Sequence, residues 1–223
     1  CEESQAVTTE LRRLGHEAYS CDIIVCSGGH EEWHILGDVL PLLNGRCKFK
    51  TMDGVDHVVA DRWDMIIAFP PCTKTTNAGA RHLWAGGLLN VPRYYEGLCG
   101  KALFEAIRHA DCDRIAVENP VPSRVFEYPE PTQRIQPYEF GHEATKMTCL
   151  WLKGLPPLQP TNIVPRPIYR QWTRPDGTTR RSCWEMEQGG GKDRAKNRSK
   201  TFPGIARAMA EQWGGPESRT PPH

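Results

Sequence analysis

Cys72 follows Pro70-Pro71 at the end of the apolar run Met65-Ile66-Ile67-Ala68-Phe69. Such a run predicts a buried strand of a parallel sheet, and two prolines end it because neither can donate to a ladder. A thiol on the loop after a parallel strand sits where α/β enzymes hold their chemistry. A lone cysteine is more often a small buried hydrophobe, so a second group has to decide. Arg114 to Val117 reads as another buried strand, leading into Glu118-Asn119 and stopped by Pro120. If the two strands are neighbours, the thiolate and the carboxyl group act on one substrate. The thiolate adds to an electron-poor ring carbon, while the carboxyl group hydrogen-bonds a ring nitrogen and stabilises the charge that addition creates. A pyrimidine meets both demands.

Two further acids, Asp22 and Asp38, stand at predicted strand ends. A carboxylate suits a vicinal diol because it accepts two hydrogen bonds and donates none. In nucleotide-binding α/β folds an acid about 20 residues after the first strand–helix turn holds a ribose, and Asp22 is placed for that. An Asp that merely caps a turn is the commoner case. Nine cysteines, an odd number, do not suggest a disulfide framework and fit a reducing compartment. The spacing of Cys21, Cys26, His30 and His34 matches no common zinc class, so no metal is expected.

The elements that must position these groups follow the chain. Ser4 to Leu14 reads as a helix with Ser4 as N-cap and Gly15 as its stop. Ala18 to Ile24 reads as a strand, and a helix followed by a strand implies a further strand before Cys1. Trp33 to Leu43 is mixed. Cys47–Thr51 and Val55–Ala60 flank Met52-Asp53-Gly54 as a hairpin. Tyr94 to Ala110 is the strongest helix, with Leu98, Ala102, Leu103 and Ile107 on one face. Val121 to Pro137 is Pro-rich and irregular, Thr148 to Leu152 is a strand, and Pro203 to Trp213 is a closing helix. There are no internal repeats. Alternating helices and buried strands predict an α/β, doubly wound fold.

The chain has 223 residues, 39% hydrophobic and 25% charged, which fits a soluble globular protein with one sizeable domain. No apolar run approaches the ~18 residues of a membrane span, and no signal peptide is visible. The net charge is +1 but unevenly spread. Residues 1–60 carry ten acids and five bases, whereas residues 166–200 carry ten bases and four acids. The second stretch interleaves Tyr169, Trp172 and Trp184, a composition suited to nucleic acid and also to a solvated loop.

These residues together resemble the DNA cytosine C5-methyltransferases, in particular a short form of phages and prophage-like regions. The resemblance runs in order along nearly the whole chain. Pro71-Cys72 resembles the Pro-Cys nucleophile motif. Glu118-Asn119 resembles the Glu-Asn motif on the cytosine ring edge, with Pro120 where Val is usual. Asp22 resembles the acid on the ribose of S-adenosylmethionine, and Gly37-Asp38-Val39 the motif whose Asp contacts the adenine. Phe140-Gly141 through Lys146 and Thr148 parallels an aromatic-Gly segment leading to an Arg-x-Arg pair; here one cation is kept and one is lost. Thr201 to Ala206 resembles the last motif, which folds back towards the cofactor. The Phe-x-Gly-x-Gly-type cofactor loop is absent, and Cys1-Glu2-Glu3-Ser4-Gln5 stands in its place.

The resemblance implies a Rossmann-like S-adenosylmethionine-dependent fold whose first strand is truncated. It spans residues 1–157 and 199–214, with a small basic, loop-rich appendage at 158–198 and a disordered tail at 215–223. It implies Cys72, Glu118, Asn119 and Lys146 as catalytic residues, with Cys72 attacking cytosine C6, Glu118 supporting N3 and Asn119 positioning the Glu118 loop. It implies Glu2, Ser4, Gln5, Asp22, Ile23, Asp38, Val39, Pro70 and Phe202 around S-adenosylmethionine. Arg180, Arg181, Lys192 and Arg198 are then expected on DNA. The protein is expected to be a monomer in the cytoplasm of a bacterial or phage-infected host cell, without a membrane partner. The appendage is too short for a strand-rich recognition domain, so a recognition site of roughly one to three bases is expected, each good base contact being a few kcal/mol of discrimination. Two rival functions are methylation of free deoxycytidine nucleotides and an inactive nucleic-acid-binding protein. An amino-methyltransferase is disfavoured, because Phe69-Pro70-Pro71-Cys72 lacks that motif's leading Asn or Asp and its trailing aromatic residue.

Overall fold

In the computed structural model residues 1–182 and 200–215 are described. Helix α1 (Ala6–Arg13) leads to β1 (Ser20–Asp22), which pairs in parallel with β2 (His34–Leu36). Strands β3 (Cys47–Lys50) and β4 (Asp56–Val59) form the expected antiparallel hairpin. Then come β5 (Ile66–Ala68), the short α2 (Asn77–Ala80), a hairpin of β6 (Trp84–Ala85) and β7 (Leu88–Leu89), and α3 (Val91–Arg108). Strands β8 (Ile115–Pro120), β9 (Gln133–Ile135) and β10 (Thr148–Lys153) follow. A hairpin of β11 (Gln171–Thr173) and β12 (Thr179–Arg181) precedes the closing helix α4 (Pro203–Gly214).

Four of these strands form one sheet in the order β5-β8-β10-β9. β5 and β8 run parallel with Ala68 opposite Val117, so the strands that precede Cys72 and contain Glu118 are neighbours. β10 runs antiparallel to both β8 and β9. The mixed direction has a topological reason. A parallel return needs a crossover, usually a helix, and the stretch from Pro120 to Thr148 holds only 3₁₀ turns and β9. β9 itself was not expected, since it lies in the Pro-rich stretch that reads as irregular.

The sheet is covered on both faces. Ala116 and Leu150 pack with Val7 of α1 and with Ile205, Met209 and Trp213 of α4. Val117, Cys149 and Trp151 pack with Phe104 and Ile107 of α3 on the other face. Burial on both sides explains why these strands read as continuous apolar runs. The architecture is a mixed α/β sandwich of three layers. Leu155 and Leu158 belong to the first cluster, so the core extends to the start of the basic segment. No helix among the described residues is long and apolar enough to cross a membrane.

The start of α1 differs from expectation. Gln5 takes a left-handed backbone, φ 57°, and Ser4 makes no capping bond. The Glu2 carboxylate reaches forward instead, accepting from the N–H groups of Val7 at 2.6 Å and Thr8 at 3.3 Å and from the Thr8 hydroxyl at 2.7 Å. An acid at this end also meets the positive end of the helix dipole. Burial pushes the Glu2 carboxyl group up, with these three hydrogen bonds opposing.

Candidate active site

Cys72 is half-buried on a loop tied down at several points. The Cys72 carbonyl accepts from the N–H groups of Thr75 and Thr76, both at 3.1 Å, and the Thr76 hydroxyl accepts from Gly79 N–H to cap α2. Gly79 has to be glycine: a Cβ there would lie 2.0 Å from the Thr73 carbonyl oxygen. Asn77 N–H donates to the Val121 carbonyl, and Ser123 N–H to the Thr75 carbonyl at 2.7 Å. These bonds join the Cys72 loop to the segment that leaves Glu118-Asn119-Pro120. No local pattern signals this lacing, which joins residues about 45 positions apart.

Glu118 is half-buried as a residue, but its carboxyl group is withdrawn from water. Desolvation pushes that group up, opposed by the nearby Lys146 cation and by a hydrogen bond from Thr148. The two residues that replace an expected pair of arginines are therefore the two that meet Glu118. Thr148 lies opposite Pro120 and Leu150 opposite Glu118 in the β8–β10 ladder, which fixes this meeting. Asn119 points to the other face. It is fully buried, and neither of its amide atoms has a partner among the described residues, so no hydrogen bond to the Glu118 loop accompanies its expected positioning role.

A cavity of about 340 Å³ opens at the same end of the sheet. Asp22 ends β1 and Ile23 follows it on one side, Asp38 and Val39 follow β2, and Phe69 and Pro71 of the Cys72 loop close the other side. Each aspartate uses Oδ1 within its own loop, Asp22 for Ile24 N–H and Asp38 for Leu40 N–H. Glu2, Ser4, Lys200 and Thr201 also line the cavity, so the chain entering α4 does fold back to it. Ile23 and Ile24 are exposed at its wall, an apolar surface on which a flat ring could rest.

Three of the expected cofactor residues lie outside this lining. Gln5 is fully buried, and its amide holds the His30 loop through His30 N–H and the His30 carbonyl. Pro70 is buried behind Phe69 and Pro71. Phe202 packs on the core and tilts against the His142 ring, whose Nε2 accepts from Gly204 N–H at the start of α4.

Glu3 was missed. Its Oε2 is buried and has no partner among the described residues, and the side chain lines the cavity. A lone buried carboxylate oxygen calls for a cation or a donor. The signal in the sequence was only an acid one residue from Glu2, and nothing local said which of the two would cap the helix.

Arg180 and Arg181 are exposed on β12, where Arg180 stands opposite Trp172 and Arg181 opposite Gln171. Tyr169, just before this hairpin, accepts at its hydroxyl from Thr145 N–H at 2.8 Å. The basic hairpin is thus anchored one residue from Lys146. Lys192 and Arg198 lie outside the described residues. The β6–β7 hairpin was also missed, although Gly86-Gly87 between Leu83-Trp84 and Leu88-Leu89 is a sound hairpin signal. Both glycines have positive φ, 56° and 82°, and Trp84 and Leu88 are exposed beside it.

Among the described residues no group of three or more His, Cys, Asp and Glu could hold a metal ion. His34 is held between Ser20 Oγ and the Ile24 carbonyl, and burial pushes the Cys21 thiol up to about 11. No protein-family model, no curated protein and no solved structure matches this chain.

Proposed function

We propose that this chain is a DNA cytosine C5-methyltransferase with a doubly wound, Rossmann-like catalytic core. The observation that carries the reading is that Cys72 and Glu118 lie at the same end of two adjacent parallel strands, β5 and β8, with Phe69 and Pro71 of the Cys72 loop lining the acid-bearing cavity. The order β5-β8-β10-β9, with a parallel β1–β2 pair beyond it, supports the fold. The ligand class fits the cavity. Asp22 and Asp38 offer acceptors for ribose hydroxyls and an adenine amine, Ile23 and Val39 offer apolar contact, and the unpartnered Glu3 oxygen suits a cationic group. S-adenosylmethionine would supply the electrophilic methyl group there. Cys72 adds to C6 of an unstacked cytosine, and a protonated Glu118 donates to N3 while the ring carries the charge. Once C5 carries the transferred methyl group, its proton passes to a base, the C5–H electron pair reforms the C5=C6 double bond, and Cys72 leaves as thiolate with both electrons of the C6–S bond.

The test of the reaction is mass spectrometry of nucleosides after expression. 5-Methylcytosine in DNA supports it. Methylated free deoxycytidine nucleotides favour the first rival, and no mark favours an inactive binding protein. For the cavity, Asp22→Ala and Asp38→Ala are each expected to weaken S-adenosylmethionine binding by about 1.5–3 kcal/mol, the range for hydrogen bonds to a charged group. Calorimetry reads this directly, and unchanged affinity in both variants removes the assignment.

The basic hairpin suits phosphate contact and stacking more than base reading. Arg170, Arg174, Arg180 and Arg181 surround Trp172 on a two-stranded ribbon with no core of its own. Binding to DNA should fall steeply with salt. Arg180→Ala and Arg181→Ala should each lower the log K against log salt slope by about 1. Bisulfite sequencing of plasmid DNA should show methylation in sites of roughly one to three bases; a single motif of five or more bases would refute the relaxed specificity.

A further inference from the structure

Helix α4 begins without a cap of its own. Phe202 stands at the N-cap position and offers no side-chain bond, and Pro203 after it has no N–H. The first donor of the helix is therefore Gly204 N–H. His142 Nε2 accepts it at 2.9 Å, from a residue 62 positions away in the chain. The fit is close. A Cβ at Gly204 would meet the Phe140 carbonyl oxygen, and the His142 and Phe202 rings lie 5.1 Å apart between centroids. The turn that carries the imidazole is fixed as well. His142 N–H donates to the Pro137 carbonyl at 3.1 Å, and Phe140 is buried in the core with Ile205 and Met209 of α4.

Only one form of the ring can make this cap. An acceptor at Nε2 requires the neutral imidazole, with its proton on Nδ1. A proton at Nε2 would set donor against donor and place a positive charge at the positive end of the helix. Burial alone pushes the proton affinity of the ring down, in favour of the capping form. The charged groups on the elements around it are engaged or turned elsewhere. Glu139 of the preceding turn accepts from Gln136 N–H, and Glu143 is exposed. Lys146 lies beside Glu118, and Arg207 of α4 lies 4.0 Å from Glu10.

The cap holds one wall of the smaller cavity. Lys200 and Thr201 immediately precede Phe202, and both line that cavity together with Asp22 and Asp38. We infer that His142 is a positioning residue: its neutral ring caps α4 and so holds Lys200 and Thr201 against the cavity, and a proton taken up from water at Nε2 frees that wall. The identity of the cofactor in the cavity rests on the proposed function, whereas the cap and its release do not. The cap is complete above the ordinary histidine value of about 6.5. It is lost as pH falls through the lower native value.

The test compares the wild type with His142→Gln, whose amide oxygen can accept but takes up no proton, and with His142→Phe, which can do neither. In NMR titrations of the wild type, the Gly204 and Thr201 amide shifts should move with the titration of the His142 ring, and in His142→Gln this movement should be absent. Exchange of the Gly204 amide at neutral pH should be about tenfold faster in His142→Phe than in His142→Gln, the scale of one lost cap. With S-adenosylmethionine as the probe, the loss of affinity from about pH 7.5 to about pH 5 should be about fivefold larger in the wild type than in His142→Gln. Should His142→Phe fail to fold, the wild type and His142→Gln carry the comparison alone. A Thr201 amide that ignores the titration of the ring would overturn the inference, as would equal loss of affinity in the wild type and His142→Gln. If S-adenosylmethionine binds at no pH, the cofactor reading fails, and the amide readouts still decide the cap.

Discussion

Cys72→Ala is expected to abolish methyl transfer, with a loss of about a thousandfold or more, as for removal of a covalent nucleophile. The side chain is half-buried on a loop held by the Thr75, Thr76 and Gly79 bonds and by the link to Val121, none of which uses the sulfur. The variant should therefore fold, and S-adenosylmethionine should still bind, because the cavity is lined by Phe69 and Pro71 but not by Cys72. DNA carrying 5-fluorocytosine should trap the wild-type chain as a covalent adduct at Cys72, since fluorine cannot leave as a proton and the final elimination is blocked. Peptide mapping locates the adduct. An active Cys72→Ala protein, or an adduct at another cysteine, would end the mechanism.

Glu118→Gln carries the second large effect. A general acid acting on N3 contributes about 10²–10⁴-fold, so the variant should lose activity on that scale with its fold intact. Its stability should move in the opposite sense. Desolvation raises the Glu118 carboxyl above its ordinary value, more than Lys146 and Thr148 lower it. Between the unfolded and native values the native state holds a proton that the unfolded chain has released. The resulting stability is fully present below the unfolded pKa, about 4.3, and is lost as pH rises through the native value. Wild-type stability should fall with rising pH across that interval, and Glu118→Gln, which cannot ionise, should lack this component and be the more stable protein at neutral pH. Calorimetric unfolding from about pH 4 to about pH 8 measures the difference. A variant less stable than wild type at neutral pH would mean that Glu118 is ionised in the native state and does not donate to the base.

The sequence by itself located the strands that carry the proposed chemistry. The apolar runs before Cys72 and Glu118 and the prolines that stop them are local features, and local features need no knowledge of neighbours. The same holds for α3, with its apolar face on Leu103 and Ile107, for α4, and for the hairpin across Met52-Asp53-Gly54. The tertiary structure decided what depends on pairing between distant segments. It set Ala68 opposite Val117, turned β10 antiparallel, and recruited Gln133–Ile135 into the sheet from a Pro-rich stretch, because an edge position beside β10 tolerates what a central strand does not. It also divided the roles of the first five residues. Glu2 caps α1, Gln5 turns inward at positive φ, and the Glu3 oxygen is left for the cavity. Those assignments hang on one left-handed residue and on where β1 and the His30 loop lie, which no pattern within Cys1 to Gln5 contains.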